Sequence, residues 1–254
     1  MKKWIPNAIT ILNLLCGCVA SLYAFNDQLI MAGIFVGLGI FFDFFDGLAA
    51  RLLNASGELG KQLDSLADMV TSGVVPGIVM YQLLSDAVGM DLFTESVNYT
   101  LGSDQYFISH PFLCVIGFSI TAASCYRLAK FNIDTRQTDS FIGLPTPANA
   151  MLIISLGIIA QTTSIDWVYA ALDNPYVLLV ITFISSFLLN AELPLFALKF
   201  KNYGWKKNQL RWVFIAVAVT LMVLLKIYAI PIVILLYVIL SMLSNIMSSK
   251  KVTA

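Results

Sequence analysis

Charge is sparse in this sequence of 254 residues: Asp, Glu, Lys and Arg together make up 12% of it, about half their share in an ordinary globular domain. That excludes most soluble enzymes. Fifteen Lys and Arg balance fifteen Asp and Glu, and no basic stripe interleaved with aromatics occurs, so nucleic acid is not an expected partner. The single histidine, His110, has no second His or Cys near it in the sequence, which leaves out a soft metal centre. Four cysteines (Cys16, Cys18, Cys114 and Cys125) lie in apolar stretches without a Cys-x-x-Cys pair and read as packing residues.

What fills the sequence instead is apolar: 59% of residues are hydrophobic and the mean hydropathy is +0.83. At about 20 residues per membrane-spanning helix, the pattern predicts eight spans, near 5–25, 29–53, 60–84, 110–131, 148–165, 176–197, 212–229 and 231–248. The expected fold class is all-α, a polytopic transmembrane helical bundle forming one domain over residues 1–254. Lys2-Lys3 before an apolar run, with Leu15-Cys16-Gly17-Cys18, has the look of an export signal, but hydrophobic spans continue to the C-terminus and favour a first span. Gly33-x-x-x-Gly37 in the second span reads as a close helix–helix contact.

The few cations are unevenly placed. With the N-terminus in the cytoplasm, fourteen of the fifteen Lys and Arg fall on the cytoplasmic side and only Lys226 does not, while Asp86 to Ser109 carries acids and no Lys or Arg. This matches the positive-inside rule. The expectation is an integral protein of a prokaryotic cytoplasmic membrane, with its N-terminus and its active site facing the cytoplasm.

Four carboxylates stand where hydropathy disfavours them: Asp43 and Asp46 late in the second span, Asp64 and Asp68 early in the third. At a span's centre each would cost roughly 2.5–3.5 kcal/mol. Solvation at helix ends would account for isolated residues but not for their spacing. Asp43 and Asp46 are i, i+3 and Asp64 and Asp68 are i, i+4, so each pair shares one helix face, and the short connection makes the two helices antiparallel neighbours. Carboxylates converging on one cavity repel each other unless protons or a cation intervene. A hard divalent ion, Mg²⁺ or Mn²⁺, suits oxygen ligands and keeps positions for phosphate oxygens. Small residues beside the carboxylates, Gly47, Ala50 and Gly60, allow a ligand to come close, and Arg51 supplies a planar cation suited to phosphate.

Together these read Asp43-x-x-Asp46-Gly47-x-x-Ala50-Arg51, eight residues, then Gly60-x-x-x-Asp64-x-x-x-Asp68. At every position this resembles the signature of the CDP-alcohol phosphotransferase family. The resemblance implies a helical membrane enzyme, often a homodimer, that moves a phosphatidyl or similar group from a CDP-linked lipid to an alcohol and releases CMP. By position, Asp43, Asp46 and Asp64 correspond to metal ligands and Asp68 to a catalytic base that is also a candidate ligand. Gly47, Ala50, Arg51 and Gly60 correspond to residues around cytidine and pyrophosphate, with Asp46 beside them.

Further stretches resemble the serine-accepting branch of that family: Pro6-Asn7-Ala8-Ile9-Thr10 with Asn13, Leu63 to Asp68, Arg127-Leu128-Ala129-Lys130-Phe131-Asn132, and Phe141-Ile142-Gly143-Leu144-Pro145-Thr146-Pro147-Ala148. The implied substrates are CDP-diacylglycerol and L-serine, in contact with membrane lipid. Asn7, Thr10 and Asn13 form a polar stripe on the first span, suited to bonding neighbouring helices or to lining the nucleotide site; the resemblance favours the site for Asn7 and Thr10. Arg127, Lys130 and Arg136 are the cations available to an acceptor carboxylate, with snorkelling as the competing reading for Arg127 and Lys130. Thr146 is either part of a rigid helix entry or an acceptor contact. The spans from 176 to 248 are expected to lie peripheral to the site. Other acceptors (glycerol phosphate, inositol phosphate, choline) remain the alternative within the class. A cation or proton-coupled transporter is the remote one, disfavoured because the carboxylates cluster near one face rather than at the midplane between repeats.

Overall fold

The computed structural model describes residues 4–89, 112–134, 141–196 and 204–252, with the side chains of 141, 205–207 and 246–252 excepted. Its long elements are α1 (Trp4–Phe25), α2 (Leu29–Leu52), α3 (Glu58–Asp68), a π-helical turn (Met69–Val74) and α4 (Val75–Val88). After the undescribed 90–111 come α5 (Phe112–Val115), which a 3₁₀ turn joins to α6 (Ser119–Ile133). Next are β1 (Phe141–Ile142), α7 (Thr146–Thr162), α8 (Asp166–Leu172), α9 (Pro175–Asn190) and β2 (Pro194–Leu195). The described chain ends with α10 (Trp205–Leu225) and α11 (Ala229–Val252). Apolar runs in a bilayer satisfy backbone N–H and C=O groups within the helix. The prolines of α7 and α9 fall in the first turn, where a missing N–H is harmless.

Five helical stretches are long and apolar enough to cross a membrane, six when α8 and α9, bent by 69°, count as one; α7 is apolar but shorter. The predicted 176–197 segment departs most from the sequence reading. Its helix ends at Asn190, and the remainder turns into β2, which pairs antiparallel with β1. This two-residue ladder is the one departure from an all-α fold among the described residues. The last apolar stretch, Asn208–Asn245, doubles back at Lys226, whose φ is +51°. Phe214 and Tyr237 have ring centroids 5.7 Å apart, where a straight helix rising 1.5 Å per residue would hold them on the order of 35 Å apart.

α4 sits at the centre: ten of its residues, from Val75 to Ser85, are buried, so it is covered on every side. Leu29, Val36, Ile120, Ile153 and Leu178 converge on it from α2, α6, α7 and α9. A helix apolar all round belongs in such a position. Gly33 lets α2 approach α7, since a Cβ there would lie 2.8 Å from Ile158 Cδ1, whereas Gly37 faces open space, so only half of the predicted glycine pair is a contact. α2 and α3 are not close neighbours. Their backbones stand apart while α1 packs along both, leaving a gap that carboxylate side chains of the two helices share.

Candidate active site

That gap is a cavity of about 560 Å³ lined by Asn7, Thr10, Asp43, Asp46, Gly47, Ala50, Arg51, Gly60 and Asp64, with Phe44, Ala55, Ser56, Gly57, Lys61 and Phe131. Seven of the residues read from sequence as nucleotide or pyrophosphate contacts are on its wall. The physical reason is the connection between α2 and α3: Asn54 takes φ +49°, a conformation Asn tolerates better than most residues. The N–H of Ala55 returns to the carbonyl of Ala50 at 2.8 Å. The chain therefore reverses over a few residues and sets the late face of α2 opposite the early face of α3.

One oxygen each from Asp43, Asp46 and Asp64 can be chosen so that all lie within 4.8 Å of one another. Asp46 is 5% exposed and accepts a hydrogen bond from Thr10 Oγ1 at 2.5 Å. Asp68 stands outside this trio, a helical turn further along α3, where its Oδ1 accepts from Asn13 Nδ2 at 3.2 Å. The polar stripe of α1 thus meets the site in order of depth. Asn7 faces Gly60, whose absent Cβ would lie 3.4 Å from Asn7 Oδ1; Thr10 holds Asp46; Asn13 holds Asp68. Both readings of that stripe apply, since the same side chains line the site and tie α1 to its neighbours.

Arg51 reaches back along α2, with Nε donating to the Gly47 carbonyl at 3.0 Å and the guanidinium at the cavity wall. Sequence reasoning missed Lys61 as a site residue and used it only as a topology marker. It lines the cavity, and its ammonium donates to the Asn132 carbonyl at 2.6 Å. Asn132 Nδ2 in turn donates to Ser65 Oγ at 2.8 Å, which ties the start of α3 to the end of α6. The signal available was periodicity, because Lys61 precedes Asp64 and Asp68 by one and two turns of the same helix.

The candidate acceptor residues separate. Arg127 is 8% exposed and its Nη1 donates to Thr146 Oγ1 at 3.4 Å, so α6 and α7 bring these two together. Its Nε has no partner, and Asp68 lies within its electrostatic reach. Lys130 pairs with Glu192, 3.4 Å away, with the lysine side chain 31% exposed, and so has a different partner from Arg127. Arg136 lies outside the described residues.

Thr146 is held where it is by the segment before it. The N–H groups of Gly143 and Leu144 donate to the carbonyls of Leu193 (3.0 Å) and Leu188 (2.8 Å), which ties the segment before Thr146 to residues 188–193. Gly143 has φ +75°, and a Cβ there would lie 2.6 Å from the Leu189 carbonyl oxygen. Gly143→Ala is therefore expected to destabilise the protein by about 1–3 kcal/mol. The check is the thermal midpoint in detergent; an unchanged midpoint would contradict this account of the segment.

An apolar helical bundle that gathers three carboxylates, a guanidinium and small residues around an open cavity offers hard oxygen donors and a planar cation in one place, which suits a phosphate-bearing ligand. Residues 3–187 match the family described as CDP-alcohol phosphatidyltransferase, and the chain belongs to that family. It is 38% identical to a CDP-diacylglycerol–serine O-phosphatidyltransferase of Bacillus subtilis over 157 residues, covering 61% of this chain and 75% of that protein. It is 34% identical to the Helicobacter pylori protein of the same name over 151 residues, covering 59% of this chain and 55% of that one. A Saccharomyces cerevisiae protein so named is 31% identical over 134 residues, covering 49% and 40%.

Proposed function

We propose that this protein transfers the phosphatidyl group of CDP-diacylglycerol to the hydroxyl of L-serine, giving phosphatidylserine and CMP. The observation that carries the reading is the Asp43, Asp46 and Asp64 trio on the wall of a cavity that also holds Arg51, Gly47, Ala50 and Gly60. The names of the relatives and the Arg127–Thr146 pair support serine as acceptor.

Three hard oxygen donors so close together fit a Mg²⁺ or Mn²⁺ site. When bound, such an ion would supply charge stabilisation on the pyrophosphate and orientation of the two reacting oxygens. The side chains do the rest. Arg51 neutralises phosphate oxygens as a permanent planar cation, and Thr10 fixes Asp46 in rotamer. Phe44 is exposed on α2 and reaches the cavity wall, so the lipid portion of the donor has an apolar path into the bilayer.

Arg127 takes the serine carboxylate, and Asp68 accepts the hydroxyl proton as general base. The serine oxygen then forms a bond to the lipid-side phosphorus while the bond from that phosphorus to the oxygen bridging to CMP breaks, and the electron pair leaves with CMP. No residue becomes phosphorylated. The distribution of Lys and Arg supports a cytoplasmic site, where nucleotide and serine are available; the family resemblance supports a homodimer.

The test is CMP release by purified protein in mixed micelles with CDP-diacylglycerol and a divalent metal, comparing L-serine with glycerol 3-phosphate, inositol phosphate, choline and no acceptor. Serine-dependent release abolished by chelator is expected. Release with another acceptor alone would keep the reaction class and overturn the acceptor; release undiminished by chelator would overturn the metal.

A further inference from the structure

We infer that Asn13 and Thr71 are positioning residues for Asp68, an inference that rests on the proposed role of Asp68 as base. Asn13 Nδ2 donates to Asp68 Oδ1 at 3.2 Å, and Thr71 Oγ1 donates to Asn13 Oδ1 at 2.8 Å. The order of these bonds has a direction. An ionised carboxylate only accepts, so the amide nitrogen must face Asp68 and the amide oxygen must face away. Thr71 Oγ1 offers its proton to this oxygen, and a flipped amide would set its oxygen against the carboxylate and lose the bond to Asp68.

The surroundings of Thr71 set it apart. Threonine and serine within a helix commonly bond back to a carbonyl of their own helix; Thr162, Thr182, Thr220 and Ser21 all do so, to the residue four before. Thr71 reaches across to α1 instead, to the side chain and the carbonyl of Asn13. It lies in the π-helical turn that begins directly after Asp68, and such turns recur at functional sites. Two glycines on different helices make room for it. A Cβ on Gly17 would lie 2.5 Å from Thr71 Oγ1, and one on Gly39 would lie 2.6 Å from Thr71 Cγ2 and 2.8 Å from Asn13 Oδ1. Asn13 and Thr71 are both 0% exposed. Packing alone needs no such polar pair, because apolar residues of the same shape would avoid the desolvation of its groups; a pair aimed at Asp68 accounts for it.

The experiment measures kcat and KM for serine and CDP-diacylglycerol in micelles for Thr71→Val, Thr71→Ser, Asn13→Ala and the Thr71→Val/Asn13→Ala double variant, with Asp68→Asn as control. Thr71→Val keeps the shape and removes the proton; it is expected to lower kcat about tenfold with both KM values unchanged, since a small misplacement of a reacting group costs rate rather than binding, and to lower the thermal midpoint, since the buried Asn13 Oδ1 loses its donor. Thr71→Ser should restore kcat to within about twofold. Asn13→Ala should lose about a hundredfold, and adding Thr71→Val to it should lose nothing more, because Thr71 acts through Asn13. Wild-type kcat in Thr71→Val, equal losses in the Val and Ser variants, or additive losses in the double variant would each overturn the inference. Asp68→Asn separates the two readings: activity retained there overturns Asp68 as base, whereas an inactive Asp68→Asn beside a fully active Thr71→Val overturns only the positioning pair.

Discussion

Asp43→Asn and Asp64→Asn are each expected to abolish turnover, by about a thousandfold or more, in a protein that stays folded. The size follows from the loss of several kcal/mol of charge stabilisation when a metal site loses a ligand, at about 1.4 kcal/mol per factor of ten. Folding should not suffer. The oxygens of Asp43, Asp46 and Asp64 lie within 4.8 Å of one another, and replacing one carboxylate by a near-isosteric amide removes repulsion that the metal-free protein carries. The thermal midpoint of the metal-free variant should therefore equal or exceed that of the parent. The rise in midpoint on adding Mn²⁺ or Mg²⁺, which in the parent reports preferential binding to the folded state, should disappear. Full activity in either variant, or an undiminished metal-induced rise, would sink the carboxylate-trio account.

Arg127→Met is the second large effect. Arg127 is buried between α6 and α7 with one bond, to Thr146, and an unpartnered Nε, so its guanidinium has donors to spare for a carboxylate. Truncating one partner of a buried, hydrogen-bonded charge pair costs roughly 2–5 kcal/mol, and kcat/KM for serine should fall by about 10²- to 10³-fold. Arg127→Lys keeps the charge but not the planar fork, and should fall between. Neither change should move KM for CDP-diacylglycerol, because Arg127 does not line the cavity that holds Arg51 and the carboxylate trio. The removal of an unpaired buried cation need not destabilise the protein, so the thermal midpoint distinguishes an acceptor role from a structural one. An unchanged kcat/KM for serine would leave Arg127 as a packing link between α6 and α7 and the acceptor side to other residues.

The contrast between Arg127 and Lys130 illustrates what local pattern can and cannot resolve. The two stand three residues apart on α6 and carry the same charge, so nothing in the sequence separates their roles. α7 and the residues after α9 do: Thr146 faces Arg127, and Glu192 pairs with Lys130. Lys61 is a similar case, since its bond to the Asn132 carbonyl spans 71 positions of the chain, and no local period carries that information. The bend of 69° between α8 and α9 is also invisible to hydropathy, which measures how apolar a run is and not whether it is straight.

The sequence by itself determined the helical class and pointed to the carboxylates that line the cavity. Apolar runs of membrane-spanning length must satisfy their backbones internally, and carboxylates at i, i+3 and i, i+4 must share a helix face. Spacing therefore pairs Asp43 with Asp46 and Asp64 with Asp68, while the grouping of Asp43, Asp46 and Asp64 within 4.8 Å, with Asp68 outside it, comes from the packing of the helices. Tertiary structure alone decided the rest. α1 packs along both α2 and α3, which holds those two helices apart and opens the cavity. The π-helical turn after Asp68, with the bare faces of Gly17 and Gly39, brings Thr71 against Asn13 across 58 positions. Helical periodicity is a property of a few successive residues, whereas the partner of a buried hydrogen bond is chosen by how whole helices pack.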